Sequence, residues 1–213
     1  MEKEKKPFDA KAFFTNKKNI FSMVAILFGI LSVVMFVALP VVQITLTPDG
    51  RDIAKLNAET IPDMAKYHES IGGINVLFGI GSYTVWHNVG TTAVLETQKL
   101  AFNVPLLIAL ILVIGASIAL LVLLLLKKNN VVNKIILGAF AVGTIMLVLT
   151  AVWFYAVNPI TASTRYDQAS TTYPYGSVNA HLNIGAILSF VFALIATVAS
   201  GFLVVKKEDP RLR

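Results

Sequence analysis

FNVPLLIALILVIGASIALLVLLLL, residues 102–126, is the stretch of sequence that decides the fold. It contains no Asp, Glu, Lys or Arg over 25 positions, and a helix of that length exceeds the roughly 30 Å hydrocarbon core of a bilayer at about 1.5 Å per residue. Three further apolar stretches of similar length, also without formal charges, lie at 20–44, 135–157 and 182–205. The sequence therefore predicts an all-α membrane bundle of four transmembrane helices, TM1 to TM4 in chain order.

The composition agrees with a membrane location. Of the 213 residues, 56% are hydrophobic and 14% are charged, whereas soluble domains carry nearer a quarter charged. Cysteine is absent, which excludes disulfides, thiolate metal ligands and cysteine nucleophiles. The net charge of +6 comes from short basic clusters beside the apolar stretches and not from a basic folded face. We therefore expect membrane lipids, other copies of the chain or other membrane proteins as partners, and no nucleic acid.

The distribution of basic residues predicts the orientation. The N-terminal tail 1–19 holds six Lys, the turn 127–134 three and the C-terminal tail 206–213 four Lys and Arg, which is thirteen of eighteen. By the positive-inside rule both tails and the turn are cytoplasmic, and the loops 45–101 and 158–181 are extracellular, in a multi-pass protein of the cell membrane. TM1 is about twice as long as a signal-peptide core, so we expect it to be retained. The five other basic residues are in the outer loops: Arg51, Lys55, Lys66, Lys99 and Arg165.

Small residues mark the faces on which the four helices are expected to pack. Apolar helices gain little from hydrophobicity when they meet in lipid, so close approach through Gly, Ala, Ser or Thr contributes to association. Each span has such residues at a spacing of four, which places them on one helix face. They are Ala25 and Gly29 in TM1, Gly115 and Ala119 in TM2, Ala139 and Gly143 in TM3, and Ala193, Thr197 and Gly201 in TM4.

The two outer loops are predicted to form a small extracellular β-sheet. In loop 1, Ile61-Pro62-Asp63 predicts the start of a short helix that runs to about Ser70. The stretch from Ile74 to Trp86 is rich in Ile, Val, Phe, Tyr and Trp and contains two glycines, which predicts two short strands or one bulged strand. Loop 2 is expected to add one strand to the same sheet. Aromatic residues of these loops are the candidates for interaction: Trp86, Tyr166, Tyr173 and Tyr175.

The arrangement of spans and loops resembles that of the claudin-like four-span proteins, which include claudins, peripheral myelin protein and the gamma subunits of calcium channels. The stretch Thr84-Val85-Trp86-His87-Asn88-Val89 is similar to their G-L-W-x-x-C segment and retains only the tryptophan. Trp153-Phe154-Tyr155, with Asn158 and Ile160, is similar to their S-W-Y-x-N-x-I stretch, and 180–185 to their A-x-L-x-x-G entry into the last span. The family's loop disulfide cannot form here, since Val89 takes the position of its first cysteine. The resemblance implies adhesion, barrier or accessory-subunit roles.

The sequence contains no motif for nucleotide hydrolysis, zinc proteolysis or serine hydrolysis, and its three histidines have no spacing typical of metal ligands. We therefore expect no catalytic residues, no cofactor and no metal. The leading interpretation is a non-catalytic membrane protein that acts by association. The first alternative is a subunit of a transporter or channel, with Thr144 and Asn183 as candidate residues of a solute pathway. The second is a small membrane enzyme that uses the outer-loop carboxylates Glu59, Asp63 and Glu69 on lipid or cell-wall precursors.

Overall fold

A computed structural model describes residues 14–46, 68–80, 82–89, 92–99, 102–126, 130–156 and 178–205. This part of the chain contains five helices and five strands. In chain order they are α1 (Lys17–Ala38), β1 (Pro40–Leu46), β2 (His68–Gly72), α2 (Gly73–Phe78), β3 (Ser82–Val89), β4 (Thr92–Lys99), α3 (Val104–Leu126), α4 (Asn130–Ala156), β5 (Val178–Leu182) and α5 (Ile184–Val205).

Four of these helices, α1, α3, α4 and α5, are long and apolar enough to cross a bilayer. They follow each other in antiparallel succession and form a ring in which α1 packs on α3 and α5, and α4 packs on the same two helices. The interior of the ring is filled by fully buried side chains that include Val113, Leu120 and Phe140. The prediction of a four-helix membrane bundle is confirmed, and the chain is a multi-pass membrane protein.

The predicted small sheet is also present, and both long connections of the bundle contribute to it. Strand β1 is its centre, with β2 antiparallel on one side and β5 antiparallel on the other. Val42 of β1 lies opposite Ile71 of β2 and Leu182 of β5. Because β1 directly follows α1 and β5 directly precedes α5, the sheet lies at the end of the bundle where α1 ends and α5 begins. We call this the sheet end.

The end of the first span differs from the prediction. The apolar stretch was predicted to be helical through residue 44, but α1 ends at Ala38 and residues from Pro40 onward form β1. Proline lacks an N–H and disfavours helical backbone in the residue before it, so Leu39 is extended. The β-branched residues Val41, Val42 and Ile44 then continue as a strand.

Loop 1 also differs in its details. Residues 68–70 were predicted to end a helix, but they lie in β2 and pair with β1; the predicted start of that helix at 61–63 lies outside the described residues. Residues 74–78, predicted as strand, form helix α2 instead. Strand β3 covers the rest of that prediction, but it pairs with β4 in a separate two-stranded sheet and not with the sheet that β5 joins.

Gly73 allows α2 to begin in close contact with the end of α1. A side chain on Gly73 would collide with the backbone carbonyl of Phe36 in α1, so only glycine allows α2 to lie this close to the end of α1. The helix then ends at Gly79, whose φ of 65° is in the left-handed region that favours glycine. Tertiary contact with α1 therefore outweighs the β propensity of Ile74 and Val76.

Candidate functional site

The buried polar side chains of the bundle join helices to each other. Ser32 of α1 donates its hydroxyl proton to the backbone carbonyl of Ser189 in α5 at 2.7 Å, and the two side-chain oxygens are 3.2 Å apart. Since the proton of Ser32 is used, Ser189 is the donor of the second bond. Both residues are almost fully buried. Paired hydroxyls of this kind fasten helices together in an apolar medium.

A second link joins α4 to α5. The hydroxyl oxygens of Thr144 and Thr197 are 2.9 Å apart, and Thr197 donates to the carbonyl oxygen of Ala193 at 2.8 Å. Thr144 is therefore the donor in the pair. One turn further, Ser200 donates to the carbonyl of Thr197. Thr144 was a candidate for a solute pathway, and its hydroxyl is engaged in this helix–helix link.

Three helices approach each other closely at Gly29. A methyl group on this residue would collide with the hydroxyl of Ser117 in α3 and would lie 3.0 Å from the ring of Phe140 in α4. Three helices thus meet where α1 has no side chain. Ala25, one turn earlier, is fully buried on the same face. These two predicted packing residues of the first span lie together at the centre of the bundle.

The packing residues predicted in the other three spans differ in how deeply they are buried. A methyl group on Gly143 would lie 2.9 Å from a methyl of Val113, and Ala193 is fully buried. Gly115 differs, because it lies on the outer face of α3 with no atom within 4 Å of an added methyl group. Its expected role in helix packing within the chain is therefore not found. The remaining four predicted residues are partly buried: Ala119, Ala139, Thr197 and Gly201.

Two asparagines at the sheet end start the helices that follow them. The side-chain oxygen of Asn103 accepts from the N–H of Leu106 at 3.1 Å and caps α3. Asn183 accepts from the N–H of Ile184 at 2.7 Å, and its own N–H donates to the carbonyl of Val41 at 2.9 Å. Asn183, the other candidate for a solute pathway, thus caps α5 and ties it to β1.

The predicted interaction residues are only partly within the described chain. Trp86 lies in β3, opposite Leu95 of β4. This hairpin pairs from Ser82 and Lys99 to Val89 and Thr92 without a break in register. Tyr166, Tyr173 and Tyr175 lie outside the described residues. In the described ranges no three His, Asp or Glu side chains are close enough to form a metal site.

One apolar surface at the sheet end was missed in the sequence. It consists of five exposed residues from α2, the segment after it and the start of α3: Ile74, Phe78, Ile80, Phe102 and Val104. We call it the α2 patch. The rings of Phe78 and Phe102 stack across it, with centroids 6.2 Å apart. Phe102 and Val104 were assigned to a membrane span and Ile74 and Phe78 to a loop strand, so nothing in the pattern indicated that they meet.

Comparison with known proteins finds no match: no family model, no curated protein and no solved structure resembles the chain closely enough to assign it. The claudin-like resemblance stays a prediction.

Proposed function

We propose that this chain is a non-catalytic protein of the cell membrane that acts by association. In this proposal the four-helix bundle is a scaffold, and the sheet and hairpin at the sheet end bind other copies of the chain or other membrane proteins. The observation that carries the proposal is the filled interior at Gly29, where α1 is in contact with Ser117 and Phe140 of two other helices. A bundle closed in this way is suited to holding its outer parts in place.

The burial of the small residues also supports binding through the sheet end. Small-residue faces on membrane helices serve either to build a bundle or to bind a second protein. Here Ala25, Gly29, Gly143 and Ala193 are buried within the chain's own bundle, so they are not available for a partner. Association therefore depends on surfaces outside the bundle interior, and the sheet end is the largest structured part that lies there.

The β-structure at the sheet end has the form of a binding surface. In the part of the chain that the structure describes, β2 and β5 are the edges of one sheet, and β3 and β4 make a second sheet of two strands only. A two-stranded hairpin is marginally stable by itself in water, and edge strands accept a further strand. The hairpin carries Trp86 opposite Leu95 in its register, and tryptophan is among the residue types enriched where binding energy concentrates at interfaces.

The orientation and the cellular role are parts of the proposal. We place the sheet end outside the cell, because the basic residues cluster in the tails and in the turn at the opposite end. The resemblance to claudin-like proteins, carried by the stretch around Trp86, adds adhesion, barrier or accessory-subunit function as the roles to test first. Lipids surround the bundle in each of them.

Site-specific photo-crosslinking in native membranes tests the proposal. A benzoylphenylalanine replaces Trp86 in the full chain, and a matched variant carries it at Ile118, which is exposed on the outer face of α3. We expect adducts heavier than the monomer from position 86, identified by mass spectrometry as a second copy or another membrane protein, and few protein adducts from position 118. If mild-detergent affinity purification also recovers no partner and position 86 yields only monomer, the proposal is wrong.

A further inference from the structure

The α2 patch is an exposed apolar surface at the level where the helices of the bundle begin and end. About half of the surface of Phe78 and Phe102 is exposed, at 47% and 51%, and Ile80 is exposed at 58%. Helix α2 buries Gly73, Val76 and Leu77 against the rest of the protein; Ile74 and Phe78 are exposed, and Asn75 is its one exposed polar residue. On a soluble protein, five exposed apolar side chains close together would indicate a surface that binds a protein, a ligand or a membrane.

The patch is continuous with the outer surface of α3. Val104, Ile108 and Ile111 are exposed and follow each other at helical spacing on one face of that helix. The single polar residue between Phe102 and Val104 is Asn103, and its side chain is buried because it caps α3 through the N–H of Leu106. No polar rim therefore separates Phe102 from the surface of α3, whereas protein-binding patches are usually rimmed by polar residues.

Backbone N–H groups around the patch form hydrogen bonds within the protein, as an apolar environment requires. The N–H of Asn103 donates to the carbonyl of Leu77 at 3.1 Å, and the N–H of Ile80 donates to the carbonyl of Asn75 at 3.0 Å. Gly79 closes the helix with its left-handed conformation. Backbone groups near lipid must find partners inside the protein, and these bonds supply them at the C-terminal end of α2.

We infer that the α2 patch is embedded in the lipid of the surrounding bilayer, at the boundary between acyl chains and headgroups. Helix α2 is then a short interfacial helix that seats the sheet on the membrane surface, with Phe78 and Phe102 in the lipid. Apolar side chains of membrane-bound helices enter this zone and stabilise binding in proportion to the apolar area that they bury. The inference is independent of the proposed function, since a lipid-seated sheet end is compatible with any partner.

The absence of cysteine makes a direct test possible in the full chain. Single nitroxide labels are attached to Ile74→Cys and Phe78→Cys after reconstitution into vesicles of phosphatidylcholine and phosphatidylglycerol. Two matched variants calibrate depth. Ser70→Cys labels an exposed polar position of β2, and Ile111→Cys labels an exposed position of α3 about 10 Å below its first residue.

The readout is collision of each label with oxygen, which concentrates in lipid, and with a water-soluble nickel complex. We expect the oxygen-to-nickel ratio at positions 74 and 78 to be severalfold above that at position 70 and below that at position 111. A ratio equal to that at position 70 would place the patch in water and overturn the inference. Protection from both reagents, with spin–spin broadening between labels, would also overturn it, in favour of a second copy as the cover.

Discussion

The pair α1/α5 and the pair α3/α4 are two antiparallel helix contacts of the same bundle that are held in different ways. Helices α3 and α4 follow each other in the chain, with only residues 127–129 between them. Helices α1 and α5 are remote, since Ser32 and Ser189 are 157 positions apart. The remote pair has hydrogen bonds and ring contacts along its length and continues into the sheet through β1 and β5. The adjacent pair packs closely around Gly143.

Contacts along α1/α5 occur at every level of the bundle. The rings of Phe21 and Phe202 stack at 4.9 Å between centroids near one end, and Phe28 meets Phe192 edge-on at 5.4 Å. The hydrogen bonds of Ser32 with Ser189 follow, and at the sheet end Gly185 of α5 lies against the backbone of residues 39–40. Bringing remote segments together costs more loop entropy than joining neighbours. We infer that these contacts offset that cost.

Between the two helix pairs, the larger effect of adding a methyl group is expected at Gly185, where α5 touches the segment between α1 and β1. A methyl group there would lie 2.7 Å from the carbonyl oxygen of Pro40 and 3.0 Å from the Cβ of Leu39. Backbone atoms cannot move aside easily, so Gly185→Ala should lower the free energy of unfolding by about 2 to 3 kcal/mol. Unfolding in mixed detergent micelles, followed by circular dichroism, measures it. Gly115→Ala is the control, because nothing lies near that glycine, and it should leave stability unchanged or slightly raised.

The corresponding change in the adjacent pair, Gly143→Ala, should cost less, about 1 kcal/mol. Its added methyl would lie 2.9 Å from Cγ2 of Val113, a side-chain atom, and 3.2 Å from the carbonyl of Ala109. The side chain can shift, and alanine also favours the helix by up to about 1 kcal/mol over glycine. The same unfolding assay measures this loss of stability. A loss equal to or greater than that of Gly185→Ala would contradict the distinction between the two pairs.

The hydrogen bonds of the remote pair offer a finer test. Ser32→Ala removes both bonds to Ser189 and should lower the free energy of unfolding by about 1 kcal/mol, since one such bond in a membrane protein contributes about 0.6 kcal/mol on average. Ser189→Ala should cost less, since Ser32 still donates to the backbone carbonyl at position 189. Equal losses in the two variants would mean that the bond to the carbonyl contributes little.

The smallest effect is expected for Thr144→Val, which keeps the shape of the side chain and removes its bond to Thr197. Thr197 still donates to the carbonyl of Ala193, so no hydroxyl proton is left without a partner. The expected loss is about 0.6 kcal/mol or less. In reconstituted vesicles this variant should also leave solute flux at the background level. A flux that the substitution alters would instead favour the transporter alternative.

The sequence by itself determined the number and the approximate position of the spans. A segment of 102–126 with no charge and more than the length of a bilayer core is stable as a helix in lipid whatever its neighbours are, because a helix satisfies its own backbone hydrogen bonds. The number and position of the spans are properties of single segments, which composition and periodicity describe. A small sheet to which both long connections contribute was also predicted, but from the wrong residues: the predicted strand stretch 74–86 forms α2 and part of β3, whereas the sheet uses residues assigned to the first span and to a loop helix.

Tertiary structure decided what depends on remote segments. Pro40 is a local signal that α1 ends, but hydropathy did not show that residues 40–44 form a strand, because an apolar strand and an apolar helix have the same hydropathy until β2 and β5 pair with β1. Spacing by four found Gly29 and Gly115 equally, yet one lies at the centre of the bundle and the other on its outer face. The direction in which a helix face points is set by the other three helices, and no local pattern carries that information.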